Sequence, residues 1–373
     1  MMKNWSGYLG WEPEQLFRPS REAEIVQIVQ RAAEENKKIR LIGSGHSFTP
    51  LCPTDHFLIS LDDYKGIVAV DSEQKQVTVR AGTKLNELSS LLDEHGLALE
   101  NLGDIDVQSI AGAISTGTHG TGRDFGNLCT QIQKVKWING LGEIQTCGRH
   151  QNPDLFAAVV LSLGALGILI EITIQCVPRY NLQLKVEKVA VDQLLADIDQ
   201  YNAAHRHFEF YWFPNTPYAM TKAVNPSTDS ADADTFKNYL QEVVLENYAM
   251  IAISELSTYF PSWSRKISRF AASTIDTYQK TKPSHKVFST VRMVKFNEME
   301  YNVPIEAYSA VKQEIIRWVN QNNTKIIFPL ENRFVKGDNI MLSPAYQRDS
   351  AYIAVHVYHK IDSMAVKYSR KSF

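Results

Sequence analysis

The sequence predicts an α+β fold in two parts, and three observations carry that reading. At 373 residues the chain is longer than one hydrophobic core usually organises. Up to about residue 180 the predicted elements are short, mixed and punctuated by glycine, without the regular β-α-β spacing (roughly 30 residues) of a doubly wound sheet. From about residue 181 the elements lengthen into separate runs of strand and helix. The boundary is placed in "CVPRYN", residues 176–181, dividing the chain into 1–180 and 181–373.

The first part opens with a helix that Ser20 can cap, because Ile25, Ile28, Val29 and Ala32 recur at helical spacing. The strand "KIRLIG" follows and runs into a glycine turn. "GIVAVD" and "QVTVRAG" then read as a hairpin around "SEQK". A short helix capped by Thr83 turns Leu85, Leu88, Leu91 and Leu92 inward and ends at Gly96. "AAVVLSLGALGILIEI" is the longest apolar run, but Gly164 and Gly167 break it into a buried helix, turn and strand. In the second part "FEFYWFP" reads as a strand, residues 235–280 as helix-rich, and Tyr308, Val311, Ile315 and Val319 as one stripe of a helix after Pro304. "KIIFPLENRF" and "AYIAVHVYHK" close it as strands.

Bulk properties exclude several function classes. A net charge of −2 offers no basic field for nucleic acid or an anionic membrane surface. No run reaches the roughly 18 apolar residues of a membrane span, and "MMKNWSGYLGWEPEQ" has no apolar core of a signal peptide. Cys52, Cys129, Cys147 and Cys176 form no CxxC pair, so no metal site is expected and buried thiols in a reducing cytoplasm are.

Three segments concentrate chemistry. In "GSGHSF", residues 43–48, two glycines let the backbone approach something closely, and His46 follows them. Phe48 stands where a dinucleotide fingerprint needs glycine, and no GK[ST] ending makes a phosphate loop. His46 is then either a functional group or a solvated loop residue. "LGDIDVQSIAGAISTGTHGTG", residues 102–122, packs glycines and hydroxyls while Ile105, Val107, Ile110, Ala113 and Ile114 thread it through the core. A buried loop must satisfy its backbone amides, and a ligand's pyrophosphate would do so. In "FPLENRF" alternation puts Glu331 and Arg333 on one strand face and Leu330, Asn332 and Phe334 on the other. By itself that pair reads first as a surface ion pair worth little.

"GSGHSF", then "DVQSIAGAISTGTHGTG" about 60 residues later, then "SLGALGIL", resemble the FAD-binding (PCMH-type) domain of vanillyl-alcohol-oxidase-type flavoproteins. Within them the chain is most similar to the alditol or xylitol oxidases and the aldonolactone (gulonolactone-type, D-arabinono-1,4-lactone) oxidases. The resemblance is strong over residues 11–180, good over 300–360 and weak between. It implies a FAD-binding domain of two mixed α/β subdomains followed by an α+β cap domain for the substrate. It implies a flavin attached covalently to His46, where a neutral imidazole is a competent nucleophile. Further FAD contacts are implied at Ile42, Gly43, Ser44, Gly45, Ser47, Ser109, Ile114, Gly117, Thr118, His119, Gly120 and Ile168. For His119 a structural hydrogen-bonding role is preferred to a catalytic one.

The same resemblance assigns the catalytic pocket to Glu331, Arg333 and His356. Arg333 would stabilise charge on reduced flavin or orient substrate hydroxyls, and Glu331 would accept hydrogen bonds from a polyol. His356 and Tyr358 share a strand face and are both candidates to touch substrate. The expected function is oxidation of an alditol or an aldono-1,4-lactone, with O₂ as acceptor and H₂O₂ as product, in the cytoplasm. The alternatives are a flavin dehydrogenase using another acceptor and a catalytically weak flavoprotein. The last rests on "AVKYSRKSF" ending before the family's R-P-H-W-x-K segment, which leaves Lys367 and Lys371 as the nearby lysines and predicts slow turnover of simple polyols.

Overall fold

A computed structural model describes residues 1–233, 246–290, 292–322, 324 and 326–360. Three sheets matter to function. The strands Gln15–Phe17, Phe57–Ser60 and Ile39–Ile42 form a small parallel sheet with Phe57–Ser60 in the centre. All four residues of that central strand are buried, as a parallel strand covered on both faces requires. The strand Ile39–Ile42 delivers the chain into the "GSGHSF" turn. A five-stranded antiparallel sheet follows, in the order Ile144–Gly148, Ile132–Ile138, Ile168–Gln175, Gln76–Arg80, Ile67–Asp71. Its core takes Leu85, Leu88 and Leu92 from one helix and Ile25 and Val29 from another.

The largest sheet has seven antiparallel strands, in the order Tyr278–Pro283, Asn181–Ala190, Tyr218–Ser227, His207–Trp212, Leu330–Val335, Ser350–Tyr358, Phe296–Pro304. Its two faces differ sharply. One carries Phe208, Phe210, Trp212, Leu330, Phe334 and Ile353 against the helices Val191–Ala196, Ile198–Ala204 and Tyr308–Gln321. The helix stripe of Tyr308, Val311, Ile315 and Val319 packs here as its spacing predicts. Directly opposed partners share the other face, and there the register aligns Glu209 with both Lys222 and Arg333, Tyr211 with Glu331, and Glu298 with His356. A half-buried antiparallel strand alternates apolar and polar in this way.

Several local expectations change. The first helix is Glu22–Glu34 with Arg21 at its N-cap. Ser20 instead donates its backbone N–H to the Glu24 carboxylate at 2.8 Å, which also takes the Arg21 amide at 3.3 Å. The helix Leu85–Glu94 has Lys84 at its N-cap, because the Thr83 hydroxyl is used in the turn before it, donating to the Arg80 carbonyl and accepting from the Gly66 amide. Gly96, at φ +70°, follows that helix in the left-handed region where glycine is favoured. "KIIFPLENRF" becomes a strand only from Leu330, since Pro329 has no amide to give a ladder. In the helix-rich stretch, Glu246–Tyr259 and Ser264–Ser273 are helical, whereas Tyr278–Pro283 is an edge strand of the large sheet. Residues 235–245, Lys367 and Lys371 lie outside the described residues. Among the described residues no helix is long and apolar enough to cross a membrane.

Candidate functional site

The glycine turn and the second glycine-rich segment meet around one cleft of about 130 Å³. Ile42, Gly43, Ser44, Gly45, His46 and Ser47 line one wall, and Ser109 with Gly112 the other. A Cβ on Gly43 would stand 2.5 Å from Ser109 Oγ, so only glycine lets the two segments approach this closely. Gly45 has φ +67°, a left-handed conformation that also favours glycine. The Ser44 hydroxyl donates to the Val107 carbonyl and accepts from Lys84 Nζ at 3.1 Å. Asp62 pairs with the same ammonium at 2.6 Å. Burial, helped by the Lys84 charge, pushes the His46 pKa down to about 4, so its imidazole is neutral at neutral pH.

The sequence-predicted contacts divide into two groups. Residues 42–47 and Ser109 line the cleft directly. Ile114 and Ile168 are buried in the core of the first part and do not line the cleft; their neighbours Ser115, Gly167 and Leu169 do. Thr118 accepts from Gln108, a lining residue, at 3.2 Å. Gly117 packs beneath Leu161 and Pro344, and beyond it the segment leaves for the large sheet. There the Gly122 amide donates to the Phe334 carbonyl at 2.8 Å, so the second glycine segment docks on the very strand that carries Glu331 and Arg333. His119 is buried against that sheet, with its Nε2 3.1 Å from Glu300 and its ring on Tyr352. Burial opposes its protonation, but the Glu300 carboxylate outweighs burial and raises its pKa.

On the polar face of the sheet, Arg333 Nε lies 2.5 Å from Glu331 and 2.9 Å from Glu209. The guanidinium also donates to the His119 carbonyl at 3.5 Å. Tyr211 donates toward Glu209 and Glu331, at 3.1 and 3.2 Å, and Lys222 pairs with Glu209 at 3.1 Å. His356 Nε2 stands 3.6 Å from Glu298 and 3.8 Å from Glu331. These charges respond differently to burial. Burial raises the Glu331 pKa and the neighbouring Glu209 adds to that, outweighing Arg333. Glu209 is also buried, but Arg333 and Lys222 outweigh burial and lower its pKa. Burial opposes charge on His356, while Glu298 and then Glu331 raise its pKa overall.

Glu331, Arg333 and His356 therefore come together as the sequence predicts. Tyr358 does not join them: its hydroxyl donates to Glu255 at 2.6 Å and its ring packs with Ile267 and Phe328. Sequence reasoning missed Glu209, Tyr211, Lys222 and Trp5. Glu209 had a legible signal, a lone acid inside the fully buried strand His207–Trp212. The others become neighbours only through strand pairing and docking. Trp5 stacks on His46 with ring centroids 5.0 Å apart and stands edge-on to Phe296, which stands edge-on to His356. An aromatic chain thus connects the cleft to the buried charged cluster around Arg333.

A FAD-binding-domain model matches residues 13–148, and a model described as D-arabinono-1,4-lactone oxidase matches residues 172–371. The chain is 35% identical to an L-gulono-1,4-lactone dehydrogenase of Mycobacterium tuberculosis over 355 residues, covering 95% of this chain and 82% of that one. It is 31% identical to the L-gulonolactone oxidase of Scyliorhinus torazame, covering 95% and 81%. Over 220 residues it is 36% identical to the D-arabinono-1,4-lactone oxidase of Kluyveromyces lactis, covering 58% and 42%. In structure it is similar to cholesterol oxidase from B. sterolicum, with a TM-score of 0.81 over 99% of this chain and 81% of that one, at 18% identity.

Proposed function

The chain belongs to the D-arabinono-1,4-lactone oxidase family of FAD-dependent oxidoreductases, and on that basis we propose that it oxidises an aldono-1,4-lactone at a hydroxyl-bearing carbon, with FAD bound covalently through His46. When bound, FAD supplies the two-electron acceptor for that carbon. The residues present fit such a group. Gly43 lets the two glycine segments close on one cleft, Ser47 and Ser109 line it, and Lys84 brings a positive charge beside Ser44 and His46. The observation that carries the covalent reading is His46 itself, lining the cleft with a neutral imidazole.

In this reading the buried charged cluster around Arg333 does the rest of the chemistry. Burial opposes charge on Arg333, but Glu331 and Glu209 outweigh it, so the guanidinium can stabilise negative charge that develops beside it. Glu331, with its raised pKa, is the carboxylate best suited to accept the proton of a substrate hydroxyl through Oε2, with His356 next to it to share that proton. Glu209, Lys222 and Tyr211, on neighbouring strands of the same sheet face, keep both groups oriented. Of the two substrate classes open from the sequence, lactones are favoured by the names of the relatives.

Dioxygen is our reading for the electron acceptor, and the relatives include enzymes named as oxidase and as dehydrogenase. A cytoplasmic location is also our reading, supported by four free cysteines, three of them buried. The test mixes purified protein with L-gulono- or D-arabinono-1,4-lactone without air and follows bleaching of the flavin absorbance, then admits oxygen. Bleaching followed by one H₂O₂ per lactone is expected. Bleaching that only an added dye or quinone reverses would reject dioxygen, and no bleaching with either lactone would reject the substrate class.

A further inference from the structure

We propose that Trp5 positions His46 for its bond to the flavin, an inference that rests on the covalent reading above. The N-terminal segment forms a small hairpin, Met2–Lys3 with Gly10–Trp11. Two consecutive residues of its loop grip the turn on both sides of His46. The Trp5 amide donates to the Gly45 carbonyl at 2.8 Å, and Asn4 Nδ2 donates to the Ser47 carbonyl at 3.2 Å. Asn4 is itself buried and held by the Leu9 amide, which donates to its Oδ1 at 3.0 Å. Over this clamp the indole lies on the imidazole, with the two planes 22° apart. Trp5 is in turn fixed edge-on by Phe296, at 5.2 Å, from the large sheet.

This arrangement does something a packing role does not require. An imidazole on a glycine turn has two free side-chain torsions, and a nucleophile must be presented in one orientation. The stack removes most of that freedom on one ring face while His46 still lines the cleft. In the bonding step a His46 ring nitrogen forms a C–N bond to the methyl carbon of the flavin ring. One C–H bond of that methyl breaks and its proton is released. The electron pair stays in the ring and passes to dioxygen or another two-electron acceptor. Trp5 exchanges no bond, proton or electron in this step and acts only by holding the His46 ring, so it is a positioning residue.

The experiment loads apo-protein, made under flavin starvation, with FAD and separates binding from bond formation. Binding is followed by quenching of flavin fluorescence, and linkage by the fraction that survives acid denaturation. In Trp5→Ala the linkage rate at saturating FAD is expected to fall roughly ten- to a hundredfold, the range that misplacing a reacting group costs, while the Kd for FAD stays close to wild type. Trp5→Phe, which keeps an aromatic face, should restore most of the rate. If Trp5→Ala does not fold, Trp5→Leu fills the same site without a planar ring and should show the same slow linkage. Wild-type linkage rate in Trp5→Ala or Trp5→Leu would overturn the inference alone. Wild-type protein that loses all its flavin on denaturation, or His46→Ala that retains it, would overturn the covalent reading beneath it.

Discussion

Glu331 and Arg333 touch, yet burial acts on them in different ways. Arg333 sits between two carboxylates and keeps its charge, whereas Glu331 shares Arg333 with Glu209 and is pushed toward its neutral form. On the function proposed above, a substrate hydroxyl placed here would meet a fixed positive charge and a carboxylate made more basic by its surroundings. Arg333→Ala should therefore cut kcat/KM for a lactone by roughly a hundred- to a thousandfold, as removal of a preorganised charge-stabilising donor does. Glu331→Gln should lower kcat more than it raises KM. Both variants should load flavin almost normally, since neither side chain lines the FAD cleft. Loss of flavin and of folding in both would instead mark a structural ion pair. Strand alternation in "LENRF" makes this pair legible in the sequence, but no local pattern indicates that Glu209 binds the same guanidinium. That contact depends on strand His207–Trp212 pairing with Leu330–Val335, more than a hundred residues away.

The elements that build the cleft are turns, and their geometry depends on missing side chains. Gly43 faces Ser109 so closely that an added methyl group overlaps its hydroxyl. Gly43→Ala is expected to push the two glycine segments apart and weaken FAD binding, read as a raised Kd for FAD in apo-protein. Ser109 caps the helix Ile110–Ser115 by accepting from the Gly112 amide. Adding Ser109→Gly removes the colliding hydroxyl at a cost of only about a few tenths of a kcal/mol, the penalty of glycine at such a cap. The double variant should then regain most of the affinity, and a double variant as weak as the single one would place the defect elsewhere. Periodicity locates most elements because burial on one face imposes it. Caps and boundaries are less legible, because Glu24 takes the Ser20 and Arg21 amides and the helix starts with Arg21 at its N-cap, and Pro329 delays the strand until Leu330.

At the scale of the molecule, the large sheet separates two environments. Its polar face meets the first part of the chain through His119 and Gly122, and its apolar face buries Lys312 from the helix Tyr308–Gln321. Lys312 is fully buried, its Nζ lies over Phe210 and Trp212 at 5.8 and 5.3 Å, and it has no hydrogen-bond partner among the described residues. Burial lowers its pKa from 10.5 to about 7. Below pH 7 the lysine is charged in both folded and unfolded chains, and folding carries the full desolvation cost. As pH rises from about 7 to about 10.5 the folded lysine is neutral while the unfolded one still binds a proton, so its cost to stability fades. Lys312→Met should raise the unfolding midpoint at pH 7, and the gap between variant and wild type should shrink toward pH 10. An unchanged midpoint at pH 7 would show that the ammonium is solvated in the folded protein.

Local rules of backbone freedom and strand alternation specify the α+β class, the two glycine segments with His46 in its turn, and the shared strand face of Glu331 and Arg333; their connection to a flavin comes from the family resemblance. Three other features arise only on folding: the sharing of Arg333 between Glu331 and Glu209, the turning of Tyr358 to Glu255 instead of His356, and the stacking of Trp5 on His46. Each joins residues from distant parts of the chain. Their geometry is set by sheet register and by the docking of the two parts, and local patterns carry no record of either.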